Sequence, residues 1–436
     1  MSRVIESPSR LDLKKEEIKR RDKSKESFDQ KMEELNLVKN KTPQNKKKPI
    51  LIAFYAEKGG VGKTTLCITI AHMFARSKRV LIYDVDPQRS ATTWLFGNEL
   101  YIQHIRNDQD DYLNQLIEQK IASSCQNPDN YHKTLYDQVH DANHNLIKPA
   151  FAHRIRKNLY LVPGNRKTHL LDGEITKNEC FASMDPNIQN TKTGKPFNSI
   201  MRTAKEFNID YVFIDLNPNL GILNQRVIMT SHFLIMPTNP DYFSAEMMRS
   251  LNLNEWQNDL NRVRETANAS NYPLPNHTVK FLGYILNRYI PVGRFHGLPL
   301  ENGLTRDRLR RTQNTWADRI NEYARNIINE FGNQNPRLAI HPRTYTRLNI
   351  SFLIGKVREY RHIGDFADLF AVPVPFLTED HLYQLEIDND GNEFYHRLEP
   401  GDRAEELEKI REWFQIFAAI ENNILRIMKN KEIINC

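Results

Sequence analysis

The chain has 436 residues and a formal net charge of +7, and 39% of its residues are hydrophobic. This length suits one large α/β domain with insertions, or two domains. The sequence has no apolar run of about 18 residues and its N-terminus lacks an apolar signal segment, so we expect a cytoplasmic protein without membrane contact.

The four cysteines (Cys67, Cys125, Cys180 and Cys436) are scattered along the chain without C-x-x-C spacing. This pattern is typical of a protein from a reducing compartment. It predicts neither a zinc site nor a disulfide framework.

The first 48 residues form a polar segment rich in lysine and glutamate. Residues 1–49 hold 15 Lys/Arg and 9 Asp/Glu, a net charge of +6, so the rest of the chain carries only about +1. The few apolar positions cannot bury much surface, which predicts a mostly disordered tail. The alternative is a basic arm that adds non-specific affinity for DNA or another polyanion.

The stretch EKGGVGKTT, residues 57–65, follows an apolar run at residues 50–55 and precedes a helical pattern of apolar residues. A strand, a glycine-rich loop and a helix start together are the context of a phosphate loop. The glycines allow backbone N–H groups to close around phosphate oxygens, and the helix N-terminus adds a favourable dipole. Lys63 is predicted to bridge the β- and γ-phosphates, and the Thr64 hydroxyl to bind Mg²⁺.

This loop departs from the ordinary G-x-x-x-x-G-K-[ST] pattern, because Glu57 stands at the first glycine position and Lys58 follows it. The KGGxGK[ST] variant resembles the deviant Walker A motif of the ParA/MinD family of ATPases. The resemblance implies that Lys58 reaches across a nucleotide-sandwich dimer to the partner's phosphates. The ATP-binding residues that it implies are Lys58, Gly59, Gly60, Val61, Gly62, Lys63, Thr64 and Thr65.

A second apolar strand, residues 80–83, leads directly into the sequence DVDPQ at residues 84–88. A strand end that projects two carboxylates towards the phosphate loop can support a Mg²⁺-bound water and the attacking water. The stretch resembles the Walker A′ motif of the same family. That resemblance assigns the orientation of the attacking water to Asp86, which leaves Asp84 as a metal ligand.

The third motif is the apolar strand at residues 211–214, which ends in Asp215. Ligands of an open α/β sheet bind at the carboxyl ends of its strands. The motif resembles Walker B, which makes Asp215 a predicted metal ligand. The family usually continues P-P-S-L-G, whereas this chain has Asn217 at the first of these positions.

Two later strands complete the resemblance. Residues 232–236 lead into PTNPDYF, residues 237–243, which resembles a family segment near the dimer face. Tyr242 and Phe243 can equally be explained as core residues. In relatives, an Asn after the strand at residues 279–286 recognises adenine, so Asn287 is the predicted adenine contact, and an amide can serve both a donor and an acceptor.

Two segments have no counterpart in compact family members. Residues 98–132 are polar and helix-prone, and residues 176–196 are rich in Asn, Lys and Thr. We interpret both as insertions, the second as a surface loop.

The segment of residues 304–361 holds 12 Lys/Arg and 5 Asp/Glu. Arginine suits phosphate because its planar fork donates two bonds at once. In ParA-like dimers the corresponding part carries scattered basic residues that bind DNA through its backbone, which makes binding salt-dependent. The alternative is a solvated helix face. The predicted DNA-binding residues are Arg306, Arg308, Arg310, Arg311, Arg343, Arg347, Lys356 and Arg358.

Near the C-terminus we predict a last strand around residues 366–376, a hairpin or loop at residues 384–392, and a helix over residues 401–436 that packs on the domain. The expected organisation is a tail (residues 1–48), a ParA-like ATPase domain (residues 49–400) and this helix. The expected fold is α/β, a doubly wound, mostly parallel sheet flanked by helices, with helical insertions.

The resemblance implies an ATP- and Mg²⁺-dependent ATPase with weak basal activity that a partner stimulates. The expected function is partition or positioning of plasmid DNA, chromosomal DNA or other cargo. The ATP-bound homodimer would bind DNA non-specifically, hence at the nucleoid, and work with a ParB-like or other adaptor. The alternative is a regulatory or assembly ATPase that acts on a protein complex without DNA.

Overall fold

The structure is a computed structural model, which describes residues 48–96, 134–140, 151–185, 187–290, 309–334, 338–360, 362–387, 393–397 and 399–429. Residues 1–47 of the predicted tail and the predicted insertion at residues 98–132 lie outside the described residues. No helix in the described ranges is long and apolar enough to cross a bilayer.

The strands of the described chain form one large sheet and one hairpin. In chain order they are β1 (Ile50–Phe54), β2 (Val80–Asp84), β3 (His153–Arg156), β4 (Leu159–Val162), β5 (Tyr211–Asp215), β6 (Phe233–Thr238), β7 (Lys280–Tyr289), β8 (Leu353–Arg358), β9 (Tyr383–Ile387) and β10 (Glu393–Arg397). The large sheet has the order β3-β4-β2-β5-β1-β6-β7-β8. Only the β3–β4 pair in it is antiparallel among the strand pairs described.

The central strands are apolar almost throughout. β2, β5 and β6 are buried at every position. A parallel sheet covered by helices on both faces requires such continuous apolar runs, since neither face meets water. The predicted fold, a doubly wound and mostly parallel sheet flanked by helices, is confirmed.

The helices pack on both faces of the sheet and join its strands. They are α1 (Lys63–Ala75), α2 (Ser90–Phe96), α3 (Leu135–His140), α4 (Leu170–Met184), α5 (Lys195–Glu206), α6 (Ile222–Thr230), α7 (Tyr242–Ser250), α8 (Leu253–Asn268), α9 (Arg311–Gln334), α10 (Pro342–Leu348), α11 (His362–Phe370) and α12 (Pro400–Met428). α1 is buried at every position from Leu66 to Ala75, since the sheet lies on one side of it and α12 on another.

The prediction of a last strand around residues 366–376 was wrong. The chain there completes α11 and then forms a 3₁₀ turn at Val374–Phe376. Pro373 and Pro375 have no N–H to donate to a ladder, which disfavours a strand inside a sheet. The predicted hairpin that follows is present as β9 and β10, an antiparallel pair.

The prediction of a surface loop at residues 176–196 was also wrong. α4 continues to Met184, and the polar Asn190, Thr191 and Thr193 are buried. Their polar groups can be buried because they bond internally. Asn190 donates to Thr266 Oγ1 at 3.1 Å, and Thr193 donates to Glu179 at 2.8 Å.

Candidate functional site

The candidate site lies at the carboxyl edge of the central strands. Asp84 ends β2 and Asp215 ends β5, and the two are direct register partners. Phe54, the last residue of β1, pairs with Asp215 on the other side. Because these strands run parallel, their carboxyl ends meet at one edge, where the phosphate loop begins.

The phosphate loop connects β1 to α1 through left-handed glycines. Gly60 has φ +74° and Gly62 has φ +80°. Gly62 is the N-cap of α1, and its carbonyl accepts the first helical bond from Leu66 N at 2.9 Å. A Cβ on Gly62 would overlap Asn287 Nδ2, whereas a Cβ on Gly59 or Gly60 would meet no atom within 4 Å. The loop is therefore tight where it enters the helix and open over its glycine pair, as a phosphate cradle requires.

The loop side chains at the start of α1 converge on Asp215. The Lys63 Nζ lies 3.3 Å from Asp215 Oδ1, and Thr64 Oγ1 donates to Asp215 Oδ2 at 2.8 Å. Asp215 is fully buried. Burial raises the pKa of its carboxyl, while the Lys63 ammonium and the Thr64 hydroxyl favour the ionised form. The structure thus brings together Lys63, Thr64 and Asp215, as predicted for phosphate and metal binding.

Asp84 bonds to the segment that follows β2. Its Oδ2 accepts from Thr92 N at 2.8 Å and from Thr92 Oγ1 at 2.6 Å, and its Oδ1 accepts from Asp86 N at 3.1 Å. Thr92 Oγ1 accepts in turn from Gly164 N at 2.8 Å. Burial and the neighbouring Asp215 raise the pKa of Asp84 to about 7. Thr92, on α2, thus links Asp84 to the loop after β4, a contact that only the tertiary structure shows.

Asp86 also lies at this edge and is buried. Its Oδ1 accepts from Gln88 N at 2.9 Å, and its Oδ2 accepts from Ser90 Oγ at 3.4 Å. These bonds fix the carboxylate at the start of α2, on the same edge as the phosphate loop. Its assignment as the group that orients water stays a prediction.

The oxygen donors at this edge suit Mg²⁺. The Thr64 hydroxyl and the carboxylates of Asp215 and Asp84 are hard ligands, and Mg²⁺ takes one or two carboxylates together with water and substrate phosphates. No group of three or more His, Cys, Asp or Glu in the described ranges could form a metal cage. The residues present therefore fit a Mg²⁺ ion shared with bound phosphates.

Lys58 contacts the segment that follows β6. Its Nζ lies 2.6 Å from Asp241 Oδ2 and 5.4 Å from the centroid of the Phe243 ring. The lysine side chain is 33% exposed. Tyr242 and Phe243, 50% and 64% exposed, are surface residues, so their explanation as core residues was wrong.

The end of β7 is tied to the phosphate loop. Asn287 Nδ2 donates to Val61 O at 2.8 Å, and Arg288 Nη1 donates to Gly60 O at 3.0 Å. Arg288 has φ +55°, an uncommon conformation for a residue other than glycine. The adenine contact of Asn287 stays a prediction, and the bond from Arg288 to the loop is a feature that no sequence pattern indicated.

The predicted DNA-binding residues are spread over several elements. Arg310 and Arg311 are exposed at the start of α9, and Arg343 and Arg347 are exposed on α10. Lys356 and Arg358 lie on β8 and are partly buried. Arg358 Nη2 lies 3.7 Å from Glu412 Oε2. Arg306 and Arg308 lie outside the described residues. DNA contact by any of them stays a prediction.

Comparison with known proteins supports this description. A family model described as an AAA domain matches residues 50–270. The sporulation initiation inhibitor protein Soj of Bacillus subtilis is 28% identical over 204 residues, which cover 46% of this chain and 62% of Soj. The virulence plasmid ParA family protein pGP5-D of Chlamydia psittaci is 26% identical over 196 residues, 44% of this chain and 58% of that protein. The matched segment thus spans about three fifths of these relatives.

A solved plasmid partition protein from Borrelia burgdorferi aligns with 74% of this chain and 97% of its own, at 16% identity and a TM-score of 0.39. The family match covers half of the sequence and includes the phosphate loop, Asp84 and Asp215. The chain belongs to this AAA-domain family, as a ParA/MinD-like P-loop ATPase.

Proposed function

We propose that the protein is an ATP-hydrolysing switch that forms a nucleotide-sandwich dimer, binds DNA non-specifically in the ATP state and partitions or positions DNA or other cargo with an adaptor. The observation that carries the proposal is the position of Lys58. Its ammonium pairs with Asp241 on a surface where both side chains are about one-third exposed, which supports a contact with a second subunit.

The positions of the site residues support the roles that we propose for them. The backbone of residues 59–64 and the Lys63 ammonium would bind the phosphates, and the Thr64 hydroxyl and Asp215 would hold Mg²⁺. Asp86 orients the attacking water, and Asp84 supports the metal through its place beside Asp215. A bound Mg²⁺ ion would neutralise phosphate charge as the bond to the leaving group breaks. A dimer that ATP holds together and that ATP hydrolysis releases acts as a slow switch.

The nucleotide half of the proposal is tested by two lysine variants. Lys58→Ala should bind ATP with wild-type affinity but fail to dimerise on ATP, whereas Lys63→Ala should lose ATP binding. Binding is measured by calorimetry and dimerisation by sedimentation velocity. Full hydrolysis by a monomeric Lys58→Ala protein would contradict the role of Lys58.

The DNA half is tested separately with duplex DNA at low salt. We expect ATP to increase retention on DNA and added salt to abolish it, because the contacts are to phosphates. Charge reversal at Arg308, Arg310 and Arg311 should remove retention while leaving ATP-dependent dimerisation intact. Equal DNA affinity with and without ATP would exclude this half of the proposal.

A second candidate is an assembly or regulatory ATPase that acts on a protein complex without DNA. It is favoured by exposed apolar side chains on α4 and just after it, where Met184 is 77% exposed and Phe181 45% exposed. Apolar side chains grouped at a surface often mark a protein-binding site. If this candidate holds, Phe181→Ser with Met184→Ser abolishes function in the cell, and the arginine reversals do not.

A further inference from the structure

A cavity of about 260 Å³ lies behind the first residue of the phosphate loop. Its walls come from the end of β1, the segment after β5 and the start of α8. Glu57 is the one loop residue in its lining, and residues 58–65 do not contribute to it. The cavity is therefore separate from the phosphate cradle but adjoins it.

The lining of the cavity includes two aromatic rings and a polar hydroxyl group. The rings of Tyr55 and Trp256 meet edge to face with centroids 6.2 Å apart. Tyr55 is 1% exposed, and its buried hydroxyl has no hydrogen-bond partner among the residues that the structure describes. A buried hydroxyl without a partner costs free energy of about 1–3 kcal/mol, so this one indicates a polar group that the described residues do not supply.

The lining of the cavity also includes three acidic side chains. Glu57, Glu255 and Asp259 line the cavity, and no Lys or Arg of the described residues does. Asp259 pairs with Arg262. Within the described ranges, neither Glu57 nor Glu255 forms an ion pair. Carboxylates, aromatic rings and a hydroxyl oxygen in one lining are the chemistry that recognises an ammonium or guanidinium group.

We infer that this cavity receives a lysine or arginine side chain from residues 1–47 of the same chain. That segment holds 14 Lys/Arg, ten of them lysine, and 9 Asp/Glu, whereas the chain from residue 50 onwards is nearly neutral. Charge complementarity therefore selects the N-terminal segment as the occupant.

The covalent connection makes this occupant reachable. From Lys48, just before β1, to Tyr55, just after it, is seven residues, or about 23 Å at the rise of a strand. Fewer than ten extended residues of the N-terminal segment are enough to span the same distance from Lys48 back to the cavity. A tethered side chain competes at an effective concentration of about millimolar, which the same side chain on a separate protein molecule does not reach at micromolar protein concentrations.

Occupancy would place a cation of the N-terminal segment next to Glu57, and so against the phosphate loop. The same cation would then be withheld from any external polyanion. The inference needs no nucleotide chemistry, so it stands or fails independently of the proposed ATPase function.

The test is carbodiimide cross-linking of the full chain, which joins a carboxylate to a lysine amine in contact with it. Mass spectrometry should find Glu57 or Glu255 joined to a lysine of residues 1–47. Glu265 is the matched control, because it is an exposed carboxylate on the same helix as Glu255 and outside the cavity. We expect at least fivefold more cross-linking at Glu255 than at Glu265, decreasing as salt rises from about 0.05 to 0.5 M.

A mixture of ¹⁵N-labelled and unlabelled protein identifies the source of the lysine. Cross-linked peptides with a single isotope composition support the inference, whereas mixed peptides in statistical proportion assign the occupant to a second copy and overturn it. Tyr55→Phe should lower the Glu255 yield at least twofold, and Glu265→Gln should leave it unchanged. Equal yields at Glu255 and Glu265 in the wild-type chain also overturn the inference.

Discussion

The ammonium of Lys58 lies 2.6 Å from a carboxylate oxygen of Asp241, and both side chains are about one-third exposed. An ion pair this accessible contributes about 0–1 kcal/mol to stability. Asp241 has a second role, because its other oxygen accepts from Ser244 N at 2.9 Å and caps α7. The ion pair therefore mainly positions the Lys58 ammonium, whereas the cap of α7 contributes to the stability of the fold.

Two substitutions of Asp241 should separate these roles. Asp241→Asn keeps a capping oxygen and removes the charge, so we expect the free energy of unfolding to change by less than about 1 kcal/mol. Asp241→Ala removes the cap as well and should cost about 0.5–2 kcal/mol. Urea unfolding measures both. If the two variants lose the same stability, the cap contributes nothing and the ion pair accounts for the loss.

Gly62→Ala should damage the phosphate loop far more than Gly59→Ala. At Gly62 an alanine would have φ +80° and its Cβ would overlap Asn287, whereas at Gly59 the Cβ meets open space. The left-handed conformation alone costs a non-glycine residue about 1–2 kcal/mol. We expect a lower Tm and weaker nucleotide binding for Gly62→Ala only.

The double variant Gly62→Ala with Asn287→Ala tests whether overlap with Asn287 or backbone strain explains the effect of Gly62→Ala. It removes the overlap but not the backbone strain, so it should recover part of the lost Tm. No recovery would mean that the strain at Gly62 explains the whole effect.

The stacked imidazoles of His232 and His277, with centroids 4.0 Å apart, should make the fold sensitive to acid. Burial and the nearby His277 lower the pKa of His232 to about 3, and burial lowers the pKa of His277. In the unfolded chain both titrate near pH 6.5, so below about pH 6.5 the unfolded state binds more protons. Stability then falls as the pH drops from about 6.5 towards about 3, by about 1.4 kcal/mol per pH unit for His232, and the lowered pKa of His277 adds to the fall.

His232→Asn should lower the number of protons taken up on unfolding by about one, which reduces the slope of stability against pH. The neutral ring accepts from Leu51 N through Nδ1 at 3.1 Å, and an asparagine oxygen can accept in its place. His277 and the buried His72, whose pKa burial lowers to about 3, keep part of the acid dependence. Urea unfolding at pH 7, 6 and 5 measures the slope. The exposed His169→Asn is the control, and equal slopes in all three proteins would contradict the prediction.

The buried ion pair of Arg226 and Glu179 should be costly to break on one side. Arg226 Nε and Nη2 each donate to the carboxylate at 2.8 Å, and Thr193 donates to it as well. Arg226→Met leaves the carboxylate buried without its counter-ion, which costs about 3–5 kcal/mol.

Replacement of both partners by Met should cost much less than the sum of the two single changes, because no charge is then left unpaired. A double-mutant cycle in urea measures this coupling. Additive losses would show that the pair contributes no interaction beyond the packing of its side chains.

The phosphate loop and its carboxylates could be predicted from the sequence because each depends on a local pattern. An apolar run followed by Asp, as at Asp84 and Asp215, places a carboxylate at the carboxyl edge of a parallel strand wherever that strand lies in the sheet. The order of glycines and lysines in residues 57–65 likewise predicts the loop from the local sequence alone.

The partners of these residues were decided by tertiary structure. Asp241 lies 183 residues after Lys58, and Asn287 lies 226 residues after Val61. Periodicity states which face of a strand is buried, but the strand order, with β1 between β5 and β6, determines which loops meet. The same reason explains the buried polar residues Asn190, Thr191 and Thr193, whose burial depends on partners elsewhere in the chain. Sequence therefore determined the phosphate-binding chemistry, and the packing of distant segments decided where Lys58 rests and what surrounds it.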